Sequence, residues 1–307
     1  MLHFAKSTVL AAALASLTAC GAPGPAPDMN SATDSTDAIF TSAHFEVAVQ
    51  GTGPDVILIP GLASDAAVWD SVTEALDDTY RFHVVQVSGF AGSPARANAE
   101  NTSVLKSISN DLAEYTQGLE TPPAIIGHSL GGLLALETGL DPDAKASRLM
   151  VIDVLPFFSV LIDEAATAQS IEPIASMARI VLIGQTDEAF ATGQTQALKG
   201  LVKDEDGLET ALSWSIASDR KVMAQAMYEV MVLDLREAIA SLDTPLTVLF
   251  ARDSSLPDMD KVEGYYRDLY AAAPQSEVVA IDDAYHFIMF DQSAAFIEAV
   301  EAFLSPE

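Results

Sequence analysis

A serine flanked by glycines at positions 127 and 131, in Gly-His-Ser-Leu-Gly, is the residue with the clearest chemical potential. An apolar run typical of a buried strand precedes it, and a run typical of a helix follows. A tight strand-to-helix turn strains the backbone of its central residue, and the glycines leave room for neighbouring elements. We therefore predict that Ser129 is a nucleophile, with the helix N-terminus beside it favouring negative charge.

A serine hydroxyl needs a base within hydrogen-bond reach. His286 lies in a loop after the last predicted strand and before the last predicted helix, which suits a general base. Of the other four histidines, His3 lies in the N-terminal signal and His44 at the start of the folded region. His83 is expected to pack within a strand, and His128 to lie beside Ser129 but point away.

A histidine base needs a carboxylate to fix its tautomer and stabilise its charged form. Asp253 follows a predicted strand and satisfies the chain order serine, acid, histidine that this type of turn favours. Asp153, at the end of the strand after the nucleophile helix, is the rival candidate. We predict Asp253 as the acid.

Two backbone N–H groups are expected to stabilise the oxyanion of an acyl-transfer reaction. One belongs to Leu130, directly after the serine. The other is predicted at Leu62, because Pro60-Gly61 ends an apolar strand at the appropriate place and glycine permits close backbone approach.

The elements that position these residues alternate between strand and helix patterns, which indicates an α/β fold with a mainly parallel sheet covered by helices on both faces. From 155 to 243 no buried strand is apparent, and we predict a helical cap inserted after the sixth strand. Met223, Met227 and Met231 recur at helical spacing there, which favours core packing, with substrate lining as the alternative. The predicted strands are 44–50, 55–60, 82–87, 123–127, 148–153, 245–250 and 277–281, and the predicted helices outside the insertion are 65–77, 102–118, 130–140, 258–272 and 291–304.

From about 44 to 304 the chain resembles the α/β-hydrolase superfamily, in the subgroup with a helical cap. The resemblance rests on the serine turn, on Trp69 and on the segment Val87–Ser93, which lacks the usual aspartate. The usual His-Gly before the oxyanion donor is Pro60-Gly61 here. The resemblance implies a serine hydrolase that uses neither a metal nor an organic cofactor.

The chain carries 15 basic and 44 acidic residues, a formal net charge of −29. Nucleic-acid binding requires basic groups to neutralise phosphates, so a nucleic-acid partner is excluded. The predicted partner is a small-molecule ester or amide, and no feature of the sequence specifies an oligomeric state.

The N-terminus resembles a bacterial lipoprotein signal. A charged start and a run of small apolar residues end in Leu17-Thr18-Ala19-Cys20-Gly21, and Cys20 is the single cysteine in the chain. We predict lipidation of Cys20, membrane attachment through that lipid alone, and a periplasm-facing location in the bacterial cell envelope. The predicted organisation is a signal peptide at 1–19, a flexible tether at 20–38, a hydrolase core at 39–154 and 244–307, and the helical cap at 155–243.

The predicted reaction is hydrolysis of a carboxylic ester through an acyl-enzyme. Two alternatives remain open: an aminopeptidase or amidase, which an acidic cap pocket would favour, and a catalytically silent binding protein on the same fold.

Overall fold

A computed structural model describes residues 40–100, 102–256 and 258–305. Its centre is an eight-stranded sheet in the order β1-β2-β4-β3-β5-β6-β7-β8. The first two strands pair antiparallel, and the remaining six run parallel to one another. The strands are β1 (Phe40–Thr41), β2 (Phe45–Gly51), β3 (Asp55–Ile59), β4 (Arg81–Val87), β5 (Ala124–His128), β6 (Arg148–Ile152), β7 (Leu246–Arg252) and β8 (Ser276–Asp282).

Ten α-helices accompany the sheet in the described part of the chain. They are α1 (Asp70–Leu76), α2 (Val104–Gln117), α3 (Leu130–Leu140), α4 (Ala168–Gly184), α5 (Asp187–Leu198), α6 (Glu205–Ala217), α7 (Arg220–Val232), α8 (Met259–Tyr270), α9 (Ile288–Asp291) and α10 (Ser293–Leu304). Short 3-10 helices lie at Ala66–Trp69, Arg96–Glu100, Phe158–Leu161 and Ala238–Ser241. The α/β architecture and every predicted strand are confirmed, within two residues at each end.

Burial on both faces explains why the central strands are apolar throughout. In β3, Ile57 and Ile59 join the core that α2 and α3 cover, whereas Val56 and Leu58 join the core beneath α1 and α10. A parallel sheet enclosed in this way has no polar face. Because the six strands are parallel, their carboxyl ends lie at one edge of the sheet. The loops that carry Ser129, Asp153 and His286 begin at that edge.

Four helices, α4 to α7, lie between β6 and β7, in the segment 155–243 that we call the helical insertion. Each begins at a residue whose side chain accepts a hydrogen bond from a backbone N–H in the first turn: Thr167, Thr186, Asp204 and Asp219. Such caps satisfy donors that have no intrahelical partner, so the polar residues set the helix starts.

Three details differ from the predictions. A two-residue edge strand, β1, precedes the predicted first strand, and the helix predicted at 65–77 begins as a 3-10 turn. The helix predicted at 291–304 is α10, and a separate short helix, α9, precedes it. Among the helices that the structure describes, none is long and apolar enough to cross a bilayer.

Candidate active site

Ser129 sits at a strained turn between β5 and α3. Its backbone has φ 54° and ψ −120°, a conformation that non-glycine residues rarely adopt, and its N–H donates to the Ile152 carbonyl at 2.8 Å. A Cβ on Gly127 would collide with the Gly131 carbonyl, and one on Gly131 would collide with the Ile59 carbonyl. The turn therefore requires both glycines, for the steric reason that the sequence suggested.

The serine opens into a cavity of about 1340 Å³. His286 lines the same cavity, so the two residues that the sequence analysis selected first face a common space. Much of the remaining wall comes from α4 and α7 of the helical insertion. It includes the apolar side chains of Leu182, Met223, Met227, Val230 and Met231, so the three methionines line the cavity as well as pack.

Asp153 holds the His286 ring. His286 Nδ1 lies 2.7 Å from Asp153 Oδ2, and a carboxylate oxygen can only accept, so Nδ1 carries a proton and Nε2 is the acceptor of the neutral ring. The other carboxylate oxygen, Oδ1, accepts from the Ala251 N–H at 2.9 Å and from the Tyr266 hydroxyl at 3.1 Å. Burial raises the Tyr266 pKa well above its ordinary value, so this hydroxyl remains a donor.

The prediction of Asp253 as the partner of His286 is wrong, because its carboxylate is already engaged elsewhere. Asp253 Oδ2 lies 2.5 Å from Lys203 Nζ, and Oδ1 accepts from the Ser255 N–H and hydroxyl at 2.8 and 2.6 Å. The ammonium and these hydrogen bonds lower the Asp253 pKa to about 2.

Strand order explains why the rival residue takes this place. β6 pairs directly with β5, with His128 opposite Ile152, so the residue after each strand lies beside the other. Asp153 is therefore the neighbour of Ser129, whereas Asp253 directly follows β7, one strand farther away. Chain order alone allows either aspartate. Asp153 also has a left-handed backbone (φ 52°), which the sequence does not reveal.

His128 supports the loop that carries His286, a role that the sequence analysis missed. The side chain is fully buried, and its Nε2 lies 3.0 Å from the His286 carbonyl oxygen, so Nε2 is the protonated nitrogen. Burial lowers the His128 pKa well below its ordinary value, and the ring is therefore neutral. The expectation that His128 points away from the reacting groups holds only in part, because its ring centroid lies 4.6 Å from that of His286 and the residue also lines the cavity.

The helical insertion is hydrogen-bonded to the same loop. Phe287 N–H donates to the Leu201 carbonyl at 3.0 Å. Asp291 accepts at Oδ1 from the N–H groups of Lys203 and Asp204, and at Oδ2 from that of Tyr285. The backbone on both sides of the histidine is thus fixed to residues 201–204.

Both predicted oxyanion donors belong to residues of the cavity wall, beside Ser129. Gly61 explains how Leu62 comes close, because a Cβ at Gly61 would lie 2.9 Å from His128 Nδ1 and 3.3 Å from Ser129 Cβ. The absence of a side chain at position 61 lets the loop after β3 approach the turn. The remaining predicted site residue, Cys20, lies outside the described residues.

Comparison with known proteins gives a consistent picture. The model of the alpha/beta hydrolase family matches residues 56–299. The chain is 26% identical over 272 residues to a pimeloyl-[acyl-carrier protein] methyl ester esterase of Aliivibrio salmonicida, covering 87% of this chain and 97% of that protein. It is 27% identical to the protein of that description from Vibrio cholerae, over 83% and 96% of the two chains.

Solved structures show the same fold at lower identity. An enol-lactonase from Burkholderia xenovorans superposes with a TM-score of 0.67 at 17% identity, over 85% of this chain and 96% of that one. A thermophilic esterase from Thermogutta terrifontis superposes with a TM-score of 0.64 at 20% identity, over 87% and 96%. Because the family model matches residues 56–299, most of the folded region, the chain belongs to the alpha/beta hydrolase family.

Proposed function

We propose that this protein is a serine carboxylesterase in which Ser129, His286 and Asp153 form the catalytic triad. The observation that carries the proposal is the Asp153–His286 hydrogen bond of 2.7 Å at the edge of the cavity into which Ser129 opens. The relatives described as esterases support ester hydrolysis as the reaction class.

In the proposed reaction, His286 Nε2 takes the proton of the Ser129 hydroxyl as Oγ attacks the ester carbonyl carbon. The oxyanion accepts hydrogen bonds from the N–H groups of Leu62 and Leu130. The C–O bond to the alcohol then breaks, and the imidazolium returns its proton to the leaving alkoxide. Water, deprotonated by His286, attacks the acyl-enzyme, which releases the carboxylic acid and restores Ser129.

The cavity wall supports an ester with a sizeable apolar acyl or alcohol group. Its volume is large enough for more than a short acyl chain, and the side chains contributed by α4 and α7 are mostly apolar. A free amine would require an unpaired carboxylate in the wall. Two of the four carboxylates in the wall are engaged, Asp153 with His286 and Glu164 with Lys261, whereas Asp163 and Asp258 are exposed to solvent. The choice of an ester over an aminopeptidase substrate therefore rests on the apolar wall and on the relatives described as esterases.

Substitution of the nucleophile tests this proposal. Ser129→Ala should abolish turnover of p-nitrophenyl butyrate, with a loss of about 10⁴-fold or more in kcat. A fluorophosphonate probe should label the parent chain and not the variant. Ser255→Ala is the matched control, since Ser255 is bonded to Asp253 rather than to the proposed triad. Unchanged turnover or unchanged labelling in Ser129→Ala would refute the assignment.

We also propose that the protein is a cell-envelope lipoprotein, with lipid attached to Cys20. The support is the sequence Leu17-Thr18-Ala19-Cys20-Gly21 after an apolar run. Cells grown with a radiolabelled fatty acid should incorporate label into the parent chain and not into Cys20→Ser. Equal labelling of both chains, or of neither, would contradict lipidation at this residue.

A further inference from the structure

One face of α4 carries apolar side chains exposed to solvent. Five large apolar side chains are exposed within the described residues. Four of them lie on this helix: Ile174, Met177, Ile180 and Ile183. Residues three apart on a helix are neighbours, so these four form a continuous ridge, which we call the α4 ridge. A contiguous apolar patch of this kind marks an interaction surface more often than scattered single residues do.

The charge distribution around the α4 ridge separates it from the rest of the surface. The chain has 44 acidic residues in 307, yet no aspartate or glutamate occurs from 173 to 186. Arg179 is the single charged residue in that stretch, and its guanidinium turns toward Gln225 and the Tyr228 ring of α7. The ridge is therefore a neutral apolar strip on a strongly acidic protein.

The opposite face of α4 closes the cavity. Ala178 and Leu182 are buried and belong to the cavity wall, and the helix packs along α7. One helix thus contributes both to the wall of the cavity and to an apolar ridge on the outer surface.

We propose that the α4 ridge docks on the surface of a lipid bilayer, with α4 lying in the interfacial plane. Apart from Glu172 near its start, α4 has exposed apolar residues and no acidic residue, so it can enter the headgroup region with little negative charge brought toward the lipid. The N-terminal sequence supplies the second argument, because its apolar run and Cys20 are typical of a membrane-attached protein. A chain from 21 to 39 spans at most about 65 Å, so attachment at Cys20 would allow this face to turn toward the bilayer.

A second copy of the chain suits the α4 ridge less well. Each copy carries a formal charge of −29, so association of two copies would bring two strongly acidic surfaces together. A neutral lipid surface carries no such repulsion. Because Arg179 is the single cation in this stretch, binding is expected to depend on apolar burial and to gain nothing from anionic lipid.

A tryptophan reporter in the full chain tests the proposal. On phosphatidylcholine vesicles, Ile180→Trp should show blue-shifted emission that brominated lipid quenches, after subtraction of the parent signal from Trp69 and Trp214. Ile216→Trp is the matched control, because Ile216 is similarly exposed, at 46%, on α6, which carries three acidic residues. That reporter should be neither shifted nor quenched.

Vesicle flotation provides the second measurement. Substitution of Met177, Ile180 and Ile183 by glutamine should weaken partitioning of the full chain by about 100-fold, whereas Ile216→Gln should change it less than threefold. Adding anionic lipid should not strengthen binding. Ser129→Ala should partition like the parent, so the result does not depend on the proposed esterase activity.

Three outcomes would overturn the proposal. They are a reporter at position 180 that lipid does not quench, equal partitioning of the glutamine variants and the parent, and a concentration-dependent dimer that Ile180→Gln abolishes while lipid has no effect. The last would identify the α4 ridge as a contact between copies.

Discussion

Replacing Asp153 by asparagine should disable the proposed triad while leaving its shape intact. Asp153 Oδ1 accepts two hydrogen bonds, from the Ala251 N–H and the Tyr266 hydroxyl. In Asp153→Asn the amide oxygen must stay there to accept both. The NH₂ group then faces His286 Nδ1, which has to become an acceptor, so the proton moves to Nε2 and the ring can no longer take a proton from Ser129.

The expected loss follows from this tautomer change. Asparagine at the equivalent position of a serine protease triad lowers kcat by about 10⁴-fold, and we expect a similar loss here, equivalent to about 5.5 kcal/mol of transition-state stabilisation. The alternative amide orientation would restore the tautomer, but it would place an NH₂ group against two donors.

Steady-state hydrolysis of p-nitrophenyl butyrate measures the effect, and circular dichroism checks that each variant is folded. Asp253→Asn is the matched control: it makes the same chemical change on the neighbouring strand end, and its effect on kcat/KM should stay within about threefold, because Asp253 contacts Lys203 and Ser255. If Asp253→Asn lost 10⁴-fold while Asp153→Asn remained active, the pairing of His286 with Asp153 would be refuted as the catalytic arrangement.

Three further predictions concern the groups that support the site. The Asp253 pKa is lowered to about 2, so the carboxylate should stabilise the fold above its unfolded pKa near 3.8 and lose that contribution as the pH falls through 3.8 toward 2. The urea midpoints of the parent and of Asp253→Asn should therefore differ at pH 5 and converge toward pH 2.5. A difference that stays constant with pH would contradict this prediction. His128→Phe removes one neutral hydrogen bond to the His286 carbonyl and should lower kcat about 3- to 10-fold with an unchanged pH profile, and an unchanged kcat would count against the supporting role. Glu229 accepts from the Val104 and Leu105 N–H groups at the start of α2. Glu229→Ala should therefore lower the free energy of unfolding by about 1–2 kcal/mol in a urea titration, whereas the control Glu237→Ala, which removes no such contact, should have little effect.

The sequence was sufficient for the features that local pattern controls. Apolar runs located the parallel strands, and the glycines around Ser129 predicted a turn whose steric need the structure explains. His286 could be selected because few histidines occur and only this one follows the last strand. These inferences depend on residues close together in the chain.

The choice between the two aspartates depended on information that local pattern does not contain. Both follow apolar strands, and both satisfy the order serine, acid, histidine. The decision requires the strand order, which places β6 beside β5, and the position of Lys203, which comes from the helical insertion. The support that His128 gives to the His286 loop is likewise a contact between residues 158 positions apart.

The hydrogen bonds of Asp291 and Leu201 restrict how the protein can be re-engineered. The Leu201 carbonyl accepts from the Phe287 N–H, and the Asp291 carboxylate accepts from the N–H groups of Lys203 and Asp204 and from that of Tyr285. A chimaera that exchanges α4 to α7 for those of a relative would therefore remove the hydrogen bonds that residues 201–204 make to the loop of His286. Swaps that keep 201–204 with 285–291 should preserve activity and allow the specificity of the cavity to be varied on its own.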